Sequence, residues 1–348
     1  LAKGTLMKKN VQDIDIFVVF KNENDIQKLE EILTKAKFDF NLIHGSRDYF
    51  QIKEEDVVFE IIPVTKTGNN NITDFSLSHV KYVLKKIKKN PKIVNEIKLA
   101  KAFCYSQNVY GAESYIKGFS GYVLELLVIN YKSFKNLIRN VAKWSAKQLI
   151  GNKKNIENLN FSKKQSPLIL IDPVQQDRNA AAALSVEKYE MFKKACKAYL
   201  KNPSDKFFMP KKFTIPKDAI VLEVIPKTGK KDIIGAKLLK TLQYINTQLT
   251  LEEYKVKKYD WNWDKKSVFY FLIVNKTLPK YKIQIGPPLK QVEHVKAFKK
   301  KHKKTFVKDN RLCAEVPRKY TEVKDFVKSL FKDKEIKDRV KKIIITSK

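Results

Sequence analysis

The stretch Val11-Gln-Asp-Ile-Asp-Ile-Phe-Val-Val-Phe20 decides the fold that we predict for the start of this chain. Its β-branched and aromatic residues predict a strand. Because side chains alternate along a strand, Asp13 and Asp15 project from one face. Oxygen ligands on one face suit Mg²⁺, which proteins hold with one or two carboxylates together with substrate phosphates. A solvent-facing acidic pair on a half-exposed strand is the alternative interpretation.

A second predicted strand, residues 56–64, carries Glu60 inside an otherwise apolar run. A buried carboxylate that has neither a partner nor a metal is costly. If this strand lies beside the first, Glu60 joins Asp13 and Asp15 as a third ligand, which is enough to clamp two Mg²⁺ ions about one phosphoryl centre. The alternative is an edge strand with Glu60 in water.

The charge of the chain indicates a polyanionic partner. The sequence has 71 Lys and Arg residues against 37 Asp and Glu residues, a formal net charge of +34. This excess is larger than solubility requires, and a polyanion is its natural complement. A generic basic surface is the alternative.

The cysteines and the hydropathy pattern predict a cytoplasmic protein without membrane contacts. Cys104, Cys196 and Cys313 form neither an even disulfide framework nor a metal-type spacing, which predicts a reducing setting. No apolar run approaches the roughly 18 residues of a membrane-spanning helix, and no signal peptide is visible.

The order of predicted elements changes along the chain. Residues 1–66 predict strands with one helix at 23–37, and helices follow. In those helices His79 lies off the apolar stripe and Lys101 lies at its edge, so His79 faces either solvent or a ligand. A short buried strand at 167–171 then delivers a polar loop, a placement that is typical of sites.

Six motifs, in order along the chain, resemble the archaeal, class I CCA-adding enzymes. They are Asp13-Ile-Asp-Ile-Phe17, Glu60-Ile-Ile-Pro63, residues 109–127, residues 172–179, Ile285-Gly-Pro-Pro288 and residues 314–321. The tyrosine and glycine string at 109–127 is the specific part, because the Asp-x-Asp pair alone fits any polymerase-β-like nucleotidyltransferase.

The resemblance implies an α+β, multidomain fold with a polymerase-β-like nucleotidyltransferase head, a helical neck, an RRM-like α/β body and a helical tail insert. We expect the head at 1–72, the neck at 73–210, the body at 211–288 together with 331–348, and the tail at 289–330. In this family a Gly-Ser pair that cradles the triphosphate precedes a segment like Leu1-Ala-Lys-Gly-Thr5. We therefore expect an N-terminally truncated head that lacks this turn, and an inactive fragment stays open as an alternative to an active enzyme for that reason.

The implied activity is template-independent addition of CCA to the tRNA 3′ end from CTP and ATP, with two Mg²⁺ ions. Asp13, Asp15 and Glu60 would be the catalytic metal ligands. Family members commonly carry aspartate where this chain has Glu60, and the extra methylene changes the metal geometry.

The resemblance also assigns nucleotide binding to five residues, Lys3, His79, Lys101, Tyr110 and Arg178. Lysine neutralises triphosphate charge, and the guanidinium fork of Arg178 can read a base edge. Structural alternatives stay open for four of them: a frayed terminus for Lys3, a solvated helix edge for Lys101, packing against the neck for Tyr110, and bracing of its own loop for Arg178.

Basic residues of the tail are expected to hold tRNA through phosphates and shape, with strongly salt-dependent affinity. They are Lys299, Lys300, Lys303, Lys304 and Arg318. The sequence is also compatible with a homodimer. Two other functions stay open, a poly(A)-polymerase-like transferase and a non-catalytic RNA-binding protein on this scaffold.

Overall fold

A computed structural model gives the structure of the chain. It describes residues 3–6, 12–22, 27–44, 48–55, 57–65, 75–263 and 266–346, without the side chains of residues 12, 13, 75 and 76. The chain divides into two compact units, residues 1–211 and residues 212–348. Within the described residues, no helix is long and apolar enough to cross a membrane.

The first unit opens with a four-stranded sheet. Its strands are β1 (Gln12–Phe20), β2 (Phe40–Ile43), β3 (Tyr49–Glu54) and β4 (Val57–Thr65), and helix α1 (Lys28–Lys35) lies between β1 and β2 in the chain. The strand order is β1-β4-β3-β2, with β1 and β4 parallel and the other pairs antiparallel. The helix predicted at 23–37 is α1, and residues 23–26 lie outside the described part.

Helix α1 covers one face of this sheet because its apolar stripe needs burial. Leu29 and Leu33 of α1 form a core with Phe50, Ile52 and Ile61. Since successive residues of a strand point to opposite faces, the neighbour of Ile61 in β4, Glu60, points away from this core. The carboxylates of Asp15 in β1 and Glu60 in β4, which are paired in register, therefore lie on the sheet face opposite α1.

The rest of the first unit is mainly helical. Its helices are α2 (Phe75–Lys89), α3 (Ile93–Ser106), α4 (Gly121–Tyr131), α5 (Phe134–Val141), α6 (Lys153–Asn158) and α7 (Val186–Lys201). Helix α4 is almost wholly apolar and is accordingly buried on most sides. Its N-cap is Ser120, whose hydroxyl accepts a hydrogen bond from the Val123 amide at 3.1 Å.

Two short parallel strands, β5 (Gln148–Ile150) and β6 (Leu168–Leu170), lie beside these helices. All three residues of β6 are buried. The backbone bridge between Ile171 and Asn179 closes the loop that follows β6. This closure gives the polar residues of the 172–179 loop a fixed position.

The second unit contains a β-α-β-β-α-β arrangement. Its main elements are β7 (Ile220–Pro226), α8 (Lys231–Leu251), β8 (Val256–Trp263), β9 (Ser267–Ile273), α10 (Val323–Leu330), α11 (Lys334–Lys337) and β13 (Val340–Thr346). The strand order is β13-β7-β9-β8, and every pair is antiparallel. The buried faces of α8 and α10 share one apolar core with this sheet.

A second, three-stranded sheet lies between β9 and α10 in the chain. It consists of β10 (Tyr281–Pro288), β11 (Thr305–Lys308) and β12 (Arg311–Pro317), in the order β10-β12-β11, with helix α9 (Val292–Lys301) between β10 and β11 in the chain. The range 289–330, predicted as a helical insert, thus contains two strands as well as helices. Helix α10 also lies in this range, and its apolar residues pack into the core of the four-stranded sheet β13-β7-β9-β8.

Candidate nucleotide and metal site

The strands predicted to carry metal ligands are neighbours in the first sheet. Asp15 of β1 lies opposite Glu60 of β4 in a parallel register, so the two side chains project from the same sheet face. Asp13 lies opposite Val58, and its side chain is outside the described part. Because β4 lies between β1 and β3, the alternative of an edge strand for Glu60 is wrong.

Glu60 is half-buried, and Asp15 is exposed. The Gln51 side-chain amide, from β3, donates a hydrogen bond to Glu60 Oε1 at 3.3 Å. Among the described residues, no group of three or more His, Cys, Asp and Glu side chains is arranged to hold a metal. Of the three predicted ligands, the described side chains are those of Asp15 and Glu60.

A second cluster centres on Asp172, which lies two residues after the end of β6 and is completely buried. Its Oδ2 atom lies 2.9 Å from Arg178 Nη1 and 3.0 Å from His79 Nε2. Its Oδ1 atom accepts hydrogen bonds from the Tyr122 hydroxyl at 3.0 Å and from the Val174 amide at 2.9 Å. Because each oxygen has two close partners, the buried charge is well compensated.

The cluster joins two predicted nucleotide residues that are 99 positions apart. Arg178 Nη1 lies 3.3 Å from His79 Nε2. The His79 ring stacks on Tyr122, with ring centroids 4.3 Å apart. Burial and the negative charge of Asp172 raise the pKa of the Tyr122 hydroxyl, which therefore stays protonated as a donor. Arg178 braces its own loop, as the structural alternative proposed, but 40% of its side chain remains exposed, so the guanidinium can still reach a ligand.

A third cluster centres on Glu125, the acidic residue of the apolar helix α4, which is only 1% exposed. Lys3 Nζ lies 2.7 Å from Glu125 Oε2, and Lys101 Nζ lies 2.8 Å from Glu125 Oε1. The Thr5 hydroxyl donates to Glu125 Oε1 at 2.7 Å. This carboxylate therefore ties the segment that carries Lys3 and Thr5 to helices α3 and α4.

Lys101 is 5% exposed, so the alternative of a solvated helix-edge lysine is wrong. Its ammonium also donates to the Thr5 carbonyl oxygen at 3.1 Å and the Thr5 hydroxyl at 3.2 Å. Burial lowers the pKa of Lys101, and Glu125 opposes this effect. Lys3 has a fixed ion pair, with 23% of its side chain exposed, so the alternative of a frayed terminus is wrong as well.

Burial acts to raise the pKa of Glu125, but the charges of Lys101 and Lys3 outweigh it and the net shift is downward. Tyr110 is half-buried and lies close to this group. A Cβ atom on Gly121 would lie 3.1 Å from the Tyr110 hydroxyl and 3.5 Å from Lys101 Nζ. The absence of a side chain at Gly121 therefore leaves room for both polar groups at the start of α4.

The tail residues fall into two classes. Lys299, Lys300, Lys303 and Lys304 are exposed in or just after the last turn of α9. The Arg318 side chain is only 3% exposed, with Nη1 3.4 Å from Glu252 Oε2 and Nη2 paired with Glu253. Because this guanidinium stabilises its own unit, we leave Arg318 out of the proposed RNA contacts.

Sequence inspection missed three polar residues that organise these clusters, Asp172, Tyr122 and Glu125. The sequence does contain a signal for Glu125, because a single charged residue in an apolar helix needs a partner. The same argument applies to Glu60 in its apolar strand. Asp172 stood in a motif of the resemblance, yet no local pattern connects it to His79. Tyr122 gave no signal beyond its place in the tyrosine and glycine string.

Two family models match parts of this chain. A family model described as "tRNA nucleotidyltransferase, second domain" matches residues 95–209, and one described as "CCA-adding enzyme, C-terminal domain" matches residues 226–346. Among solved structures, one described as a cytoplasmic RNA terminal U-transferase gives a TM-score of 0.48 at 12% identity, covering 61% of this chain and 84% of that chain.

Curated relatives match most of the chain. A CCA-adding enzyme of Nanoarchaeum equitans is 34% identical over 326 residues, which is 89% of this chain and 80% of that protein. One of Sulfurisphaera tokodaii is 31% identical over 94% of this chain and 80% of that protein. One of Methanocaldococcus jannaschii is 29% identical over 95% of this chain and 78% of that protein. The resemblance found in the sequence is confirmed, and this chain belongs to the family of archaeal CCA-adding enzymes.

Proposed function

We propose that this protein adds CCA to the 3′ end of tRNA from CTP and ATP without a nucleic-acid template. The observation that carries the proposal is the parallel register of Asp15 and Glu60 in a chain that matches CCA-adding enzymes along most of its length. In this interpretation the first sheet is a nucleotidyltransferase head, the helices that follow are a neck, and the β-α-β-β-α-β part of the second unit is an RRM-like body.

The proposed catalytic metals are two Mg²⁺ ions. They would be held by Asp13, Asp15 and Glu60. The described residues fit this role because Asp15 and Glu60 present oxygen ligands from adjacent parallel strands on one sheet face. Bound Mg²⁺ would stabilise the charge on the transferring phosphate. The hydrogen bond from Gln51 to Glu60 would limit the rotamers available to that carboxylate.

The proposed reaction is attack of the RNA 3′-hydroxyl oxygen on the α-phosphorus of CTP or ATP. A new ester bond forms, the bond from the α-phosphorus to the bridging oxygen breaks, and pyrophosphate leaves. Glu60 would position the attacking hydroxyl or accept its proton. Because phosphoryl transfer depends mainly on positioning and charge neutralisation, the placement of the remaining polar groups matters most.

The polar clusters of the first unit would hold the nucleotide. Lys3, with part of its ammonium side chain exposed, and Tyr110 would contact the triphosphate. Lys101 has its three hydrogens committed to Glu125 and Thr5, so it would reach phosphate only by exchanging one of these partners. Arg178, held from behind by Asp172, would present its exposed edge to the base.

The basic surface of the tail would hold tRNA. Lys299, Lys300, Lys303 and Lys304 are exposed together in and after α9, and lysines bind RNA phosphates without reading sequence. The family resemblance implies that this contact is made with the elbow of tRNA.

The test is primer extension on a tRNA transcript that lacks its 3′ CCA, with Mg²⁺ and labelled CTP and ATP. The proposal expects two C additions, then one A, and no addition by the Asp15→Asn variant. Untemplated runs of A would support a poly(A)-polymerase-like enzyme instead. Salt-dependent tRNA binding without any addition would support a non-catalytic RNA-binding protein.

A further inference from the structure

One exposed aromatic residue of the first unit, Phe161, is used by none of the proposed contacts. Phe161 is 83% exposed, and no large apolar residue in the described part of the chain is more exposed. A single exposed apolar residue is ordinary on a protein surface. Its surroundings therefore decide whether it has a role.

The backbone around Phe161 is held in place. Leu159 is 3% exposed and packs with Ile169 and Ile171. The Asn160 side-chain oxygen accepts a hydrogen bond from the Lys163 amide at 3.0 Å. A buried anchor on one side and a capped turn on the other restrict the backbone, so the exposed ring is presented from a defined position.

The same segment is bonded to the loop that carries Arg178. Lys163 Nζ donates to the Asp177 carbonyl oxygen at 2.6 Å, and Asn179 Nδ2 donates to the Lys163 carbonyl oxygen at 3.0 Å. Asn179 is itself 3% exposed. Because these bonds reach the residues on both sides of Arg178, the segment that contains Phe161 and Lys163 lies beside the proposed base-reading loop.

The charges of the segment fit an RNA partner. Residues 152–165 contain four lysines, Lys153, Lys154, Lys163 and Lys164, against one acidic residue, Glu157. The immediate neighbours of Phe161 in the sequence, Asn160 and Ser162, are polar. An exposed aromatic ring among lysines is the combination that binds single-stranded nucleic acid.

We propose that Phe161 stacks on an unpaired base at the 3′ end of the tRNA and that the adjacent lysines neutralise its phosphates. This inference rests on the proposed function, because it takes tRNA as the partner. Every base has an aromatic face, so a stacking contact accepts any base. Phe161 would thus hold 3′ ends of different sequence beside Arg178.

The experiment compares Phe161→Leu and Phe161→Trp with the unchanged protein. Each protein is titrated with two tRNA transcripts lacking CCA, one with a natural unpaired 3′ nucleotide and one with an abasic nucleotide there. We expect Phe161→Leu to weaken binding of the natural RNA by at least about fivefold, Phe161→Trp to preserve it, and neither variant to change binding of the abasic RNA. Val186→Ala is the matched control, since Val186 is also an exposed apolar residue of the first unit.

Two results would overturn the inference while the proposed function stands. The first is unchanged affinity and CCA addition in Phe161→Leu, and the second is an equal loss of affinity for the natural and the abasic RNA. If the unchanged protein itself fails to bind tRNA, the proposed function fails and this inference fails with it. The thermal unfolding midpoint of each variant shows that a lost contact, and not a lost fold, is being measured.

Discussion

Asp172 and Arg178 form an ion pair that extends from the interior to the surface, with 2.9 Å between Oδ2 and Nη1. The carboxylate is completely buried, whereas 40% of the Arg178 side chain is exposed. A guanidinium held at one end by a buried charge keeps its remaining donors in a fixed direction. The ion pair thus orients the exposed part of the Arg178 side chain toward a ligand that enters the site from solvent.

Asp172→Asn tests this orientation. The amide keeps the size of the side chain but removes the charge that faces both Arg178 and His79. We expect kcat/KM for CTP and ATP to fall about 10- to 100-fold, because misplacement of a binding group by about 1 Å is that costly. Affinity for tRNA should be retained.

The control for this prediction is Asp205→Asn, since Asp205 is an exposed aspartate of the same unit. A thermal unfolding scan accompanies the kinetics, because Asp172 is buried and its replacement also affects stability. Full activity of a folded Asp172→Asn protein would show that Arg178 does not depend on this carboxylate.

A second prediction concerns the length of the side chain that carries the carboxylate at position 60. Glu60→Gln removes a metal-ligating charge, so we expect CCA addition to fall at least about a thousandfold by loss of electrostatic stabilisation. Glu60→Asp keeps the charge and shortens the chain by one methylene, which is the side chain common in the family, and should retain measurable addition. The rate of CCA addition by each variant is measured at increasing Mg²⁺ concentration. An equal loss of activity in both variants would contradict a role for Glu60 as a metal ligand.

The pairing of β1 with β4 is the part of the site that the sequence predicts best. Alternation along a strand places Asp15 on one face, and the lone carboxylate of β4 indicates a partner for it. The Asp172 cluster has no such local pattern, because Arg178 and His79 are 99 positions apart. The link between Lys3 and Glu125 spans 122 positions. Only tertiary packing brings these pairs together.

The strands of the tail were missed for a related reason. In β12, Leu312, Cys313 and Ala314 are buried in succession, so both faces of the strand are covered there, since successive side chains point to opposite faces. A continuous apolar run of this length does not distinguish a strand from a helix. The helical prediction for the whole segment came from the family resemblance, and helix α9 accounts only for Val292–Lys301.

The Glu125 cluster gives a third prediction, on stability. Glu125→Met leaves the ammonium of Lys101 buried without its carboxylate, so we expect a loss of about 3–5 kcal/mol in the free energy of unfolding. The double variant with Lys101→Met removes both charges and should be less destabilised than Glu125→Met alone. Urea denaturation of the two single variants and the double variant measures this coupling, and additive losses would contradict it.

A fourth prediction concerns pH. The two lysines hold the pKa of Glu125 below its ordinary value of 4.5 in the folded state, so this carboxylate stabilises the fold above about pH 4.5 and loses that contribution as the pH falls through its lower folded pKa. The stability difference between the unchanged protein and Glu125→Gln should therefore be constant near neutral pH and shrink in acid. Glu157→Gln is the control, since 64% of the Glu157 side chain is exposed. A difference that grows in acid would mean that the pKa of Glu125 is raised.

The exposed tail lysines give the last prediction, because phosphate contacts make RNA binding depend on salt. Each contact that is lost reduces the slope of log affinity against log salt concentration by about 0.7 to 0.9. A variant with Gln at Lys299, Lys300, Lys303 and Lys304 should therefore bind tRNA more weakly at low salt and with a shallower slope. Arg318→Gln should behave differently, since its guanidinium is buried against Glu252: we expect a lower unfolding midpoint and an unchanged slope. A shallower slope for Arg318→Gln would instead place that side chain among the RNA contacts.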